Sequence, residues 1–140
     1  MPKLDKQDQR IANIFGMPDV PDVATATLDR YLAYLTQQLT LPCQLTGIED
    51  FDWEEYYVIG PGSQAEHEHL RQTRPSYMDT YDLLRFEEEV DPDEGILVHV
   101  RRISDKKTFL LPLANLEATQ KKSPHHQLLD DYAVWFVNWR

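Results

Sequence analysis

The negative charge of this 140-residue chain is concentrated in one third of its length. Residues 49–94 contain fifteen acidic and three basic residues, a net charge of −12, whereas the whole chain carries −10. Carboxylates at this density repel one another unless they lie in solvent or are neutralised by cations. The span therefore favours hard cations or basic proteins as ligands and disfavours nucleic acid.

The rest of the composition is that of a small globular protein. A hydrophobic content of 41% is enough for a core, and the single Cys43 excludes an intrachain disulfide or a multi-cysteine zinc site. The first residues lack the apolar stretch of a signal peptide, and no apolar run approaches the ~18 residues of a membrane span. We expect a cytoplasmic protein that binds neither membranes nor nucleic acid, because phosphate contacts need Lys and Arg.

Helical periodicity predicts two long helices. Four leucines at spacings of four, three and four predict a helix over Thr25–Leu39, which Pro42 ends. Ser123 and Pro124 form the start of a second helix, with a buried stripe that we expect to pack on a sheet: Leu128, Tyr132, Trp135 and Trp139. Residues 1–24 are predicted to be a polar arm with at most one weak helical turn and a linker, and residues 25–140 to be a single domain.

Short alternating segments between these helices predict strands. The candidates are Cys43–Glu49, Tyr56–Ile59, Tyr81–Glu89, Ile96–Ile103 and Thr108–Leu111, the last two forming a hairpin. Pro112–Glu117 is expected to form a helical turn, and Gln64–Gln72 could be a short helix. The predicted fold class is α+β: a small SH3-like antiparallel barrel flanked by the two helices, or alternatively a split sheet with helices on one face.

Two acidic loops are candidate Ca²⁺ sites. Asp50, Asp52 and Glu54 alternate along one loop, while Asp91, Asp93 and Glu94 share a turn to which Glu89 could add an oxygen. Ca²⁺ prefers six to eight oxygen ligands of this type. Each loop alone is equally typical of a solvated surface. Neither is an EF-hand, because the sixth and twelfth positions lack the required glycine and glutamate.

The sequence contains no catalytic motif. The five histidines are expected to be exposed polar residues, and a histidine-based metal-dependent hydrolase is the least favoured interpretation. Cys43 is expected to be a buried structural thiol rather than a nucleophile. We therefore expect a protein that is not an enzyme.

Three segments of the chain carry a resemblance to a known family: Tyr31–Leu35 leading to Leu39–Pro42, the segment Thr108–Glu117 with its PLANLE motif, and Asp131, Tyr132 and Trp135 of the last helix. They resemble the bacterial calcium-binding protein family that includes cyanobacterial CcbP. The resemblance covers roughly residues 28–139, and PLANLE is its most specific part. It departs from the family in the longer span from Gly60 to Thr80.

This resemblance implies a small acidic protein that binds Ca²⁺ without EF-hands, as a buffer or a sensor. The alternative from composition alone is an interaction module whose acidic face docks a basic protein partner or mimics nucleic acid. The ligand residues follow from local chemistry only, because the shared segments are mostly structural.

Overall fold

A computed structural model of the protein describes residues 4–140, which contain five α-helices and one five-stranded antiparallel sheet. The helices are α1 Lys6–Ile14, α2 Thr25–Gln38, α3 Glu55–Val58, α4 Gln64–Leu70 and α5 Pro124–Asn138. The strands are β1 Gln44–Gly47, β2 Thr80–Phe86, β3 Leu97–Arg102, β4 Thr108–Pro112 and β5 Leu116–Ala118. Single 3₁₀ turns occur at Asp52–Glu54 and Leu113–Asn115.

The sheet has the strand order β4-β3-β2-β1-β5 and is not closed into a barrel. The predicted hairpin of β3 and β4 is confirmed, with Val98 opposite Leu111 and Val100 opposite Phe109. After the 3₁₀ turn the chain returns as β5 to pair with β1, where Leu45 lies opposite Ala118. The α+β class is therefore confirmed, and the sheet is open.

The last helix forms a large part of the core, as its aromatic stripe predicts. Ser123 accepts a hydrogen bond at the N-terminus of α5, and Pro124 occupies the first turn. Trp135 and Tyr132 are fully buried, and Trp135 lies 5.0 Å from the ring of Tyr31 in α2, centroid to centroid. Aromatic burial of this extent dominates the stability of a small domain.

The segment predicted to be a polar arm is more ordered than its sequence suggests. It contains the nine-residue helix α1, and both Ile11 and Phe15 are buried in the core. Arg10 pairs with the buried carboxylate of Asp131 in α5, with Nε–Oδ2 at 3.0 Å. Trp135 also donates from Nε1 to the carbonyl of Pro21 in the linker, at 2.9 Å. These contacts attach residues 4–24 to α5.

Three predicted elements differ from the structure. Tyr56–Ile59 was predicted to be a possible strand and forms the helix α3 instead, because a short apolar run alone does not distinguish the two. The strand predicted for Tyr81–Glu89 ends at Phe86. The helical turn predicted over Pro112–Glu117 is limited to Leu113–Asn115, after which the chain enters β5. The short helix in 64–72 is confirmed as α4.

The long excursion between α3 and β2 is held by a buried arginine. Arg102, 3% exposed, donates to the carbonyls of residues 71, 72 and 74 and to the carboxylates of Asp79 and Asp105. The hydrogen bonds from Arg102 lower the pKa of Asp105 from its ordinary value of 3.8 to about 2. A five-donor guanidinium can satisfy this many acceptors at once, so one side chain of β3 fixes the end of α4.

Among residues 4–140, no helix has the length and the apolar content needed to cross a bilayer.

Candidate functional site

The two acidic loops predicted as separate sites face one common cleft. This cleft, of about 580 Å³, lies between the loop after β1, the turn before β3 and one face of α5. Its carboxylates come from all three elements: Glu49, Asp50, Asp52, Asp93, Glu94 and Asp130. The residues that line it in the described part of the chain include one basic side chain, Arg140. The cleft therefore combines high negative charge with a concave shape.

The turn that carries Asp93 and Glu94 is closed by backbone pairing. Asp91 and Gly95 exchange two N–H···O bonds of 2.8 Å each. One carboxylate oxygen of Asp91, Oδ1, accepts from the backbone N–H groups of Asp93 and Glu94, both at 2.8 Å. Asp91 thus shapes the turn, and the side chains of Asp93 and Glu94 extend from it to line the cleft.

Contacts with α5 fix the position of this turn. Gly95 has a φ of +78°, and a Cβ there would meet the Tyr132 hydroxyl at 2.5 Å and the Phe136 ring at 2.6 Å. The same Tyr132 hydroxyl accepts a hydrogen bond from the backbone N–H of Ile96 at 2.9 Å. Burial raises the pKa of Tyr132, so the phenol stays neutral. The turn is therefore placed directly against the last helix.

The other loop is anchored by a carboxylate predicted to be a ligand. Glu54 is fully buried, and its Oε2 accepts from Ser76 Oγ at 2.7 Å and lies 2.8 Å from Nε2 of His67. Its Oε1 accepts from the backbone N–H of Tyr77 at 2.8 Å and, more weakly, from that of Phe51 at 3.4 Å. With its oxygens engaged in the interior, Glu54 holds the loop in place and does not line the cleft.

The seven predicted ligands therefore separate into three groups. Asp50, Asp52, Asp93 and Glu94 line the common cleft. Asp91 and Glu54 are used within the protein, to shape the turn and to anchor the loop. Glu89 is exposed and is not part of the cleft lining. Asp50 and Asp52 line the cleft whereas the 3₁₀ turn directs Glu54 inward, so the three carboxylates that alternate along this loop do not form one set of ligands.

Three polar residues of the cleft are not among the predicted ligands. Glu49 lines it from the loop after β1, Asp130 from α5 and Asn115 from the 3₁₀ turn before β5. The signal for Asp130 was present: Asp130, Val134 and Val137 recur at spacings of four and three, on a face of α5 other than the buried aromatic stripe. Asn115 carries no such signal, since its place in PLANLE indicates only a structural turn.

The described residues contain no group of three or more His, Cys, Asp or Glu side chains already close enough to hold one metal ion. The expectation that the histidines are exposed is wrong for His67, which is buried and stacks on Tyr57 with ring centroids 5.6 Å apart. His69 is exposed. Cys43 is buried as expected, and burial raises the pKa of its thiol, which disfavours the reactive thiolate.

Comparison with models of known protein families gave no match, and neither the curated proteins nor the solved structures contain a significant match to this chain.

Proposed function

We propose that this protein binds Ca²⁺ in the acidic cleft and is not an enzyme. The observation that carries the proposal is that Asp50 and Asp52 line the same cleft as Asp93 and Glu94. Carboxylates brought together from distant parts of the chain repel one another, and a bound dication relieves that repulsion. The resemblance of the PLANLE segment to a calcium-binding family supports the same proposal.

The proposed site is one site rather than two. Ca²⁺ takes six to eight oxygens in flexible geometry, and the turn before β3 presents only the carboxylates of Asp93 and Glu94 to the cleft, too few for a site of its own. Because no three ligands converge among the described residues, binding requires the carboxylates of both loops to rotate towards the ion. The backbones of the two loops are already fixed by hydrogen bonds, so less conformational entropy is lost when their side chains close around the ion. Backbone carbonyls and water complete the coordination.

We also propose that the sheet is related to an SH3-like barrel. The first and last strands, β1 and β5, are neighbours in the sheet, and closing this sheet into a barrel would require its two edge strands, β4 and β5, to pair. The free edge at β4 corresponds in this interpretation to a barrel that has opened.

Titration calorimetry on chelator-treated protein tests the calcium proposal. We expect one Ca²⁺ per chain and much weaker Mg²⁺ binding, because Mg²⁺ dehydrates reluctantly and demands a tight octahedron. At a single shared site, Asp50→Asn and Asp93→Asn should each weaken the same binding event. If the two loops formed independent sites, each variant would instead remove one of two binding events. Glu88→Gln with Glu89→Gln is the matched control, since it removes two exposed charges outside the cleft. No heat with wild-type protein would refute the proposal.

A further inference from the structure

The cleft has an apolar wall that an ion does not need. Val137 is 66% exposed and Ile48 is 44% exposed, and both line the cleft together with Val134. Hydrated or carboxylate-bound cations gain nothing from aliphatic surface, whereas a protein side chain buried there gains about 25 cal/mol per Å². Apolar surface rimmed by charge is typical of a protein interaction site. Ca²⁺ binding therefore does not explain why these apolar side chains line the cleft.

Charge complementarity identifies the kind of partner. Among the described residues, the cleft is lined by six carboxylates and one guanidinium, that of Arg140. Arg140 donates to the backbone carbonyl of Asp93 at 2.8 Å, and its guanidinium carbon lies 4.6 Å from the centroid of the Phe136 ring. Arg140 thus shows how an arginine can bind at the edge of the cleft, through a backbone carbonyl and an aromatic face.

From these observations we infer that the cleft docks a basic segment of a partner protein, in which Arg or Lys residues are interspersed with aliphatic ones. The basic residues pair with the rim carboxylates of Asp50, Asp93 and Asp130, and the aliphatic residues pack on Val134 and Val137. Ca²⁺ uses the same carboxylates, so the ion and the segment exclude each other. This competition, unlike the docking itself, rests on the proposed calcium function.

Fluorescence anisotropy with two synthetic peptides tests the docking. One peptide alternates arginine and leucine, and its partner has glycine in place of each leucine. With chelator present, the leucine peptide should bind about tenfold more tightly than the glycine peptide, because the two carry the same charge and only the leucines bury aliphatic surface. Val137→Ser should remove most of that advantage. Equal binding of the two peptides to wild-type protein would overturn the apolar part of the inference.

Charge variants test the rim. Asp50→Asn with Asp93→Asn should weaken binding of the leucine peptide about tenfold, because it removes two of the charges that pair with the basic residues of the peptide. Glu88→Gln with Glu89→Gln changes the net charge equally and should leave binding nearly unchanged. Equal losses in both double variants would show nonspecific attraction and overturn the cleft as the docking site. Thermal melts of each variant confirm that it is folded, since all the changed side chains are wholly or partly exposed.

Calcium titration separates the two proposals. Added Ca²⁺ should release the leucine peptide from wild-type protein, while the same concentration of Mg²⁺ should release much less. If calorimetry detects Ca²⁺ binding but the peptide does not bind in chelator, the docking inference fails and the calcium proposal stands. If the peptide binds but calorimetry detects no Ca²⁺, the calcium proposal and the competition fail, and the docking stands.

Discussion

His67 and Glu54 form a buried pair, with Nε2 of the imidazole 2.8 Å from Oε2 of the carboxylate. The two residues belong to different parts of the acidic span, α4 and the 3₁₀ turn after β1. Ser76 donates to the same carboxylate oxygen from a third part, just before β2. One buried carboxylate therefore joins three segments that would otherwise repel each other as a polyanion.

Glu54→Gln should destabilise the protein by about 1–3 kcal/mol. The amide keeps the shape of the side chain but replaces an acceptor oxygen with a donor, which leaves a buried polar group without a partner. Urea unfolding at neutral pH measures this loss. Glu55→Gln is the control, because Glu55 is its exposed neighbour and should change stability by less than about 0.5 kcal/mol. Equal effects of the two variants would contradict the anchoring role.

Gly95→Ala should cost about 2–4 kcal/mol and weaken Ca²⁺ binding. Its positive φ strains an alanine, and the added Cβ overlaps Tyr132 and Phe136. Gly16→Ala is a matched control with a φ of +64° but no atom within 4 Å of the added Cβ. It should cost only the conformational part, about 1 kcal/mol. Thermal unfolding compares the two variants, and similar losses would show that contact with α5 does not position the turn.

Trp135→Ala should destabilise the protein by about 3–5 kcal/mol, the usual range for a buried tryptophan. The indole is fully buried and packs against the ring of Phe15, directly after α1, and that of Tyr31 in α2. The control is Val137→Ala, because Val137 lies two residues after Trp135 and is exposed. It should destabilise the protein by less than about 0.5 kcal/mol. Chemical denaturation measures both, and a cooperative transition unchanged in Trp135→Ala would refute the packing role of α5.

Acid should remove a specific contribution of Asp105. The pKa of Asp105 in the folded protein, about 2, lies below its ordinary value of 3.8. The ionised carboxylate therefore contributes its full stabilisation at pH values above 3.8. The contribution declines as the pH falls below about 4 and is lost as it passes about 2. Wild-type protein should therefore be more stable than Asp105→Asn at pH 6, and the difference should shrink towards pH 2. A difference that is constant with pH would refute the linkage to Arg102.

The sequence alone determined those helices, strands and turns whose formation depends on residues close by in the chain. The cap at Ser123, the leucine spacing of α2 and the alternation of β3 each act within a few residues, so they predicted these elements correctly. The acidic turn at Asp91–Gly95 was also predictable, because its hydrogen bonds join residues four apart at most.

Only the tertiary structure decided which acidic residues face the cleft. Glu54 alternates with Asp52 in the sequence, but its direction is set by Ser76 and Tyr77, which lie more than twenty residues away along the chain. The polar segment of α1 is likewise held in place by distant partners, because Ile11 and Phe15 enter the core and Arg10 pairs with Asp131. Charge and hydropathy patterns report what a residue can do in water. Whether a carboxylate is buried, shapes a turn or faces a ligand depends on partners that only folding brings within hydrogen-bonding distance.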